Sequence, residues 1–66
     1  MEISVDGLAR EVPDDATLAQ ILVLLGEPDT HFIAEINGHY IPKAKYESTK
    51  LSPGDRLEVI YPAFGG

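Results

Sequence analysis

Apolar and polar residues alternate at the start of the chain. From Met1 to Val5 every second residue is apolar, which is the two-residue period of a strand with one buried face. Asp6-Gly7 follows, and this pair readily adopts the positive φ angles of a tight hairpin turn. The pattern therefore predicts a β-hairpin whose second strand occupies residues 8–12.

A helical period replaces this alternation after Thr17. Thr17 and Gln20 have the spacing of a capping box, in which each side chain accepts a hydrogen bond from the backbone of the other residue. Gly26 is suited to the left-handed position that ends a helix. Val23 and Leu24 fall partly off the apolar face, and we expect them to fill the sides of the core, with contact to a partner as the alternative. The apolar face follows the i, i+3, i+4, i+7 spacing: Leu18, Ile21, Leu22 and Leu25.

The alternation returns over residues 32–37, with Ile33 on the face opposite to the other apolar residues of this strand. Asn37-Gly38 is a second tight-turn signal and leads into a short strand over residues 39–41. Residues 43–50 show no clear period. We expect them to form an irregular crossing with one helical turn.

The last strand is predicted over residues 56–61, after a turn of sequence Ser-Pro-Gly-Asp at 52–55. Its alternation places Tyr61 on the core face and Ile60 on the opposite face. A hairpin, a helix and three further strands form an α+β arrangement in which one main helix packs across one face of a mixed sheet of about five strands. This is a ubiquitin-like β-grasp, with the first and last strands paired in parallel at the sheet centre.

The chain has 66 residues, 44% of them hydrophobic, which is close to the lower limit for a domain stabilised by one core. We expect residues 1–62 to form this domain and residues 63–66 to form a flexible tail. The absence of cysteine excludes a disulfide framework, a thiolate nucleophile and a sulfur-ligated zinc site. With no signal-peptide pattern and no apolar run of membrane-spanning length, we expect a cytoplasmic protein that has no membrane partner and is monomeric when free.

The formal net charge is −6 and is unevenly distributed. Residues 1–35 carry eight acids and one base, hence −7, and residues 36–66 carry three acids and four bases, hence +1. An acidic surface repels phosphate backbones, so nucleic acid is an unfavourable partner and a basic protein surface a favourable one. The alternative is that the acidic residues serve solubility alone.

Few residues have the spacing of a catalytic or metal site. His31 and His39 are eight residues apart in different turns with no acid or thiolate at ligand spacing, so we interpret them as exposed loop histidines. Asp14-Asp15 precedes the predicted helix, where acids complement the helix dipole, and this interpretation is favoured over metal binding. No nucleophile triad or phosphate loop is present. The sequence therefore predicts no metal site, and a substrate of enzymes instead of an enzyme.

Several short motifs occur in a familiar order. The whole chain resembles the ThiS-type sulfur carriers of thiazole (thiamin) synthesis, within the larger family that includes the MoaD-type carriers of molybdopterin synthesis. The helix after Thr17 also fits this resemblance. The matching motifs are Asn37-Gly38, Ile41-Pro42-Lys43, the run Pro-Gly-Asp-Arg-Leu-Glu at 53–58, and Gly65-Gly66 at the end of the sequence.

The resemblance implies chemistry at the last residue. The Gly66 carboxylate would be adenylated with ATP by a ThiF-type enzyme, which is similar to ubiquitin-activating enzymes, and sulfur from a cysteine desulfurase or rhodanese-type donor would replace AMP. The resulting thiocarboxylate would be used by a ThiG-type thiazole synthase, and the carrier would bind no cofactor of its own. Gly65 would give access to a narrow active site, because glycine has no Cβ to clash with the channel walls.

The resemblance also implies a docking surface. Ubiquitin-like carriers commonly contact the activating enzyme through the sheet face opposite the helix, where Ile60 and Ile33 are predicted to lie. Phe64 and Ala63, at the start of the tail, would contact the partner beside this patch. The alternative is that Ile60 and Ile33 are ordinary exposed apolar residues.

Three other functions stay open from the sequence. The approach to the tail, residues 61–64, looks more like that of MoaD-type carriers, and Tyr46 stands where ThiS-type members commonly have Trp. Sulfur transfer to molybdopterin is therefore one alternative. A second is a ubiquitin-like modifier joined through Gly66 to protein lysines, and a third is a binding module that does not use its tail.

Overall fold

The computed structural model describes residues 1–26 and 32–61. These residues form five strands, one α-helix and one short 3-10 helix in the predicted order, and no strand bound differs from the predicted one by more than one residue. The elements are β1 (Glu2–Val5), β2 (Leu8–Glu11), α1 (Leu18–Leu24), β3 (Ile33–Ile36), β4 (His39–Ile41), the 3-10 helix (Lys43–Lys45) and β5 (Arg56–Ile60).

The strands form one sheet in the order β2-β1-β5-β3-β4. β5 lies at the centre, pairs in parallel with β1 and pairs antiparallel with β3. β2 and β4 are the edge strands, and each is joined to its neighbour by a hairpin. The predicted mixed sheet, with its first and last strands parallel at the centre, is confirmed.

Both predicted hairpin turns are present. Asp6 and Gly7 have φ angles of 49° and 85°, and Asn37 and Gly38 have φ angles of 54° and 82°. Positive φ at both central residues is the geometry whose twist matches that of the flanking strands. The two turns therefore set the register of the β1–β2 and β3–β4 pairs from local sequence alone.

Helix α1 begins with the predicted capping box. The Gln20 amide nitrogen donates to Thr17 Oγ1 at 3.2 Å, and the Thr17 amide nitrogen donates to Gln20 Oε1 at 2.9 Å. At the other end Gly26, with a φ of 72°, takes the left-handed conformation expected of a residue that stops a helix. The sequence therefore marks both ends of the helix.

The core lies between one face of α1 and the inner face of the sheet. Ile3, Leu18, Ile21 and Leu57 are almost completely buried. Residues of the connecting segments close the sides, among them Val12, Ala16 and Leu51. The remaining buried residues are Val5, Leu22, Ala34, Ile36 and Val59.

The prediction that Val23 and Leu24 fill the sides of the core is wrong. Their side chains are 79% and 62% exposed. At 100° per residue, Val23 lies about 150° and Leu24 about 110° from the centre of the buried stripe of α1. With one sheet to pack against, a helix of seven residues buries that stripe and leaves the other sides in solvent.

The last strand is one residue shorter than predicted, since β5 ends at Ile60. Tyr61 follows and is 53% exposed, so it is not a core residue of the sheet. His39 is exposed, as expected, but belongs to strand β4 and not to a loop. His31 lies outside the described residues.

Candidate functional site

The residues predicted to react lie beyond the described part of the chain. Gly65, Gly66, Ala63 and Phe64 all fall after Tyr61, the last residue that the structure describes. Their predicted roles therefore stay predictions. The structure does define where this segment starts, which is the C-terminal end of the central strand β5.

The end of β5 is fixed from both sides. Strand β3 pairs with it up to Ile60. On the β1 side, Asp6 donates its backbone N–H to the Leu57 carbonyl at 2.9 Å, and Asp6 Oδ1 accepts the Val59 N–H at 3.0 Å. The Asp6 side chain thus extends the pairing of β5 past the end of β1, so the residues before the tail are held in a defined direction.

Three aromatic side chains lie together where the tail begins. The Phe32 and Tyr46 rings are stacked, with centroids 6.2 Å apart and planes 7° apart, and the Tyr61 ring meets Phe32 edge-on at 5.9 Å. Burial, and secondarily the charge of Tyr40, raises the pKa of Tyr46 above its ordinary value. The sequence singled out Tyr46 and Tyr61 separately, but it did not predict that Phe32 joins them.

The face of the sheet turned away from α1, here called the outer face, carries the predicted apolar pair. Ile33 of β3 and Ile60 of β5 are directly opposite each other in the sheet register. Ile60 is 39% exposed and Ile33 is half-buried. The two residues are thus adjacent on an accessible surface, which is the geometry that the docking prediction requires.

Two acidic residues continue this row on the outer face. Glu35 and Glu58 are directly opposite each other, two residues from the isoleucine pair on each strand. Tyr40, 61% exposed, is paired with Glu35 on its other side. Sequence reasoning about the site missed both glutamates, although the same alternation that turned Ile33 and Ile60 outward also turned the glutamates outward.

Asp14, of the acidic pair before α1, has an ion-pair partner that the sequence did not predict. The Asp14 carboxylate forms an ion pair of 3.0 Å with the Met1 ammonium group, and no acidic residue lies in the first turn of α1. The ammonium group also donates to the Val12 carbonyl at 2.7 Å and lies 3.7 Å from Glu11. The hydrogen bond with Asp14, reinforced by the charges of Asp14 and Glu11, raises the pKa of the Met1 amino group above 8.0.

Residues 1–26 and 32–61 contain no group of three His, Asp or Glu side chains arranged to hold a metal ion. Nor do they contain a helix with the length and apolar character needed to cross a membrane.

A surface depression of about 500 Å³ lies beside α1 and is bordered by Pro13, Asp14, Val23 and Leu24, among others.

A five-stranded mixed sheet with a parallel central pair and one helix across one face defines a ubiquitin-like β-grasp protein. The model of the ThiS family matches residues 1–66, and the chain belongs to the ThiS family. The resemblance found in the sequence is thereby confirmed. No curated protein sequence matches the chain significantly.

Two solved structures show the same fold. The crystal structure of the thiamine biosynthesis protein (ThiS) from Geobacter metallireducens superposes with a TM-score of 0.89 at 23% sequence identity, and the match covers 100% of both chains. The solution structure of a thiamine biosynthesis protein from the same organism gives a TM-score of 0.76 at 23% identity and covers 100% of this chain and 88% of the other.

Proposed function

We propose that this chain carries sulfur for thiazole formation in thiamin synthesis, as a thiocarboxylate on Gly66. The observation that supports this proposal is membership of the ThiS family over residues 1–66, a match that includes Gly65-Gly66. In this proposal the chain is a sulfur-carrier protein, that is, a substrate and sulfur donor on which other enzymes act in the cytoplasm.

A carboxylate is a poor electrophile, because a nucleophile must approach a negative charge and expel an oxide-like group. The Gly66 carboxylate therefore needs activation, and we assign it to an adenylating enzyme of the ThiF type that uses ATP. The outer sulfur of a persulfide on a cysteine desulfurase or a rhodanese-type donor then attacks the acyl adenylate and displaces AMP, and a thiol reductant cleaves the resulting acyl disulfide to leave the thiocarboxylate. The thiocarboxylate sulfur is a nucleophile, and it is transferred to the acceptor on a ThiG-type thiazole synthase.

The chain itself contributes position and access in this scheme. Strand β5 is hydrogen-bonded on both sides, so the folded domain presents the tail from a fixed point. Gly65 and Gly66 lack a Cβ, which lets the end of the tail enter an active site that closes around the reacting carboxyl group to exclude water. Ile33 and Ile60 on the outer face, with Ala63 and Phe64, contact the partner enzyme.

The experiment is intact-mass analysis after incubation with a ThiF-type enzyme from the same organism, ATP and a sulfur donor. The mass is expected to rise by the difference between one sulfur and one oxygen atom. Deletion of Gly66 should abolish this rise and leave thermal unfolding unchanged, whereas Glu47→Gln, a substitution at an exposed position outside the strands, should permit it. An unchanged wild-type mass, or a rise that survives the deletion, would overturn the proposal.

A second stage separates this function from the alternatives. The thiocarboxylated chain is mixed with a ThiG-type synthase and its substrates, and loss of the sulfur from the carrier is followed by mass. Transfer to the thiazole acceptor is expected. Transfer to a molybdopterin precursor alone, or higher-mass protein adducts that resist reducing agents, would instead establish a MoaD-type carrier or a protein modifier.

A further inference from the structure

Glu35 and Glu58 face each other across the two innermost antiparallel strands, β3 and β5. Directly opposite residues in an antiparallel pair have Cβ atoms about 4.5–5.5 Å apart, and like charges at this position destabilise the sheet. Both side chains are on the outer face, because Ala34, Ile36, Leu57 and Val59 occupy the buried face of the same strands. The fold alone therefore gives no reason for two carboxylates at this pair.

In the part of the chain that the structure describes, no cationic group lies within ion-pair distance of either carboxylate. Neither carboxylate forms an ion pair or a hydrogen bond there, since both ion pairs found involve the Met1 ammonium group. Arg56 precedes Glu58 by two residues on the same face of β5, and it pairs with neither acid. The two negative charges are thus available to a cation from outside the chain.

Apolar and aromatic side chains border the two carboxylates toward β4 and toward the end of β5, whereas Ser4, Asp6 and Arg56 lie beside Glu58 toward β1. Ile33 and Ile60 border the pair on one side, and Tyr40 lies beside Glu35 on β4. Exposed fractions of 61% for Tyr40 and 39% for Ile60 make this row accessible. The outer face therefore offers a partner an apolar contact with two adjacent negative charges.

We propose that the outer face binds the adenylating enzyme through an arginine or lysine side chain of that enzyme, seated between Glu35 and Glu58 and flanked by an apolar contact with Ile33 and Ile60. The identity of the partner rests on the proposed function. A guanidinium group has enough N–H donors to bind two carboxylates at once. Its positive charge would replace the repulsion between Glu35 and Glu58 with one attractive contact to each of them.

Charge complementarity selects this occupant over others. A second copy of the chain docked through the same face would bring four carboxylates together, and the net charge of −6 adds to the repulsion. Nucleic acid and anionic lipid surfaces are disfavoured for the same reason. A basic, partly apolar protein surface satisfies both the acidic and the apolar parts of the face.

The test measures the rate of the adenylation reaction through the release of pyrophosphate. The carriers compared are wild type, Glu35→Gln, Glu58→Gln and the double variant. We expect the KM for the carrier to rise on the order of fivefold in each single variant, with further loss in the double variant, and kcat to stay unchanged. The rise should shrink at high salt, where screening weakens the wild-type contact as well. Glu47→Gln removes an exposed acid outside the strands and is the matched control, with an expected wild-type KM.

Thermal unfolding separates docking from a structural role. Each glutamine variant is expected to unfold at the wild-type temperature or above it, because the substitution removes repulsion. Lower stability together with higher KM would assign the glutamates to the fold and overturn the inference. A wild-type KM in both single variants, or an equal rise in Glu47→Gln, would also overturn it.

Binding measured by calorimetry with the Gly66-deleted chain keeps this inference separate from the proposed function. This chain cannot become a thiocarboxylate, but it should bind the enzyme and lose affinity on the order of fivefold with each glutamine substitution. If binding depends on the glutamates while wild-type chain gains no sulfur, the proposed function fails and the docking inference stands. If wild-type chain gains sulfur and the glutamine variants bind equally well, the docking inference fails alone.

Discussion

The side-chain amide of Asn37 donates a hydrogen bond of 3.0 Å to the carboxylate of Asp55, eighteen residues further along the chain. The oxygen of the same side-chain amide, Asn37 Oδ1, accepts a hydrogen bond of 2.9 Å from the Arg56 backbone N–H. Asp55 also accepts the Ser52 N–H at 2.8 Å. Two turns that look independent in the sequence are therefore one hydrogen-bonded unit at the start of the central strand β5.

We predict that Asn37→Gly lowers the free energy of unfolding by about 1–3 kcal/mol, because two side-chain hydrogen bonds are lost and one of them has a charged acceptor. Glycine retains the positive φ that the turn requires, so the loss reports the side chain and not the backbone conformation. Urea denaturation measures it. Asp55→Ala should cost less in the Asn37→Gly background than in wild type, and strictly additive effects would contradict the coupling.

We predict that Thr17→Ala destabilises the domain by about 1 kcal/mol, because Thr17 Oγ1 no longer accepts the Gln20 N–H at the start of α1. Chemical denaturation of the purified protein measures the loss. Thr17→Ser keeps the hydroxyl and is the matched control, with an expected stability close to wild type. If Thr17→Ala and Thr17→Ser unfold alike, the capping hydrogen bond does not stabilise this helix.

The Met1 ammonium group predicts a pH dependence of stability. Its pKa is raised above 8.0 in the folded protein, chiefly by the hydrogen bond with Asp14, so the folded state holds the proton more tightly than the unfolded state. This contribution is fully present below pH 8.0 and is lost as the pH rises through the raised value. Denaturation of protein with a free Met1 amino group, at a series of pH values above 8.0, should show falling stability.

Asp14→Asn provides the control for this pH dependence. The substitution removes the charge and the carboxylate acceptor, so the fall in stability above pH 8.0 should become smaller. An unaltered pH profile in Asp14→Asn would show that the ammonium group does not depend on this partner.

The loss of an apolar side chain should have very different effects on stability at two positions of α1. Leu24 is 62% exposed, so Leu24→Gln should change the free energy of unfolding by no more than about 0.5 kcal/mol. Ile21 is fully buried, and Ile21→Ala should cost about 2–5 kcal/mol through lost burial and a cavity. Thermal or urea unfolding measures both. A large loss in Leu24→Gln would mean that this side chain packs against the domain after all.

The turns and the helix ends were predicted correctly because they depend on neighbours in the sequence. The Asp6-Gly7 and Asn37-Gly38 turns, the Thr17 cap and the Gly26 helix stop each involve residues no more than a few positions apart, so their physics is contained in short segments. The assignment of Val23 and Leu24 failed because the apolar pattern does not show how wide the buried part of the helix surface is. That width was decided by how much of α1 the sheet can cover.

The sequence by itself determined the order of the elements, the inward and outward faces of the strands, and the motifs that match the ThiS family. Only the tertiary structure decided which outward residues are neighbours. It placed Ile33 beside Ile60 and Glu35 beside Glu58 through the register of β3 and β5. No hairpin turn joins β3 to β5, so the register of this pair is set by the packing of the whole sheet against α1, and contacts between residues far apart in the chain leave no periodic signal in the sequence.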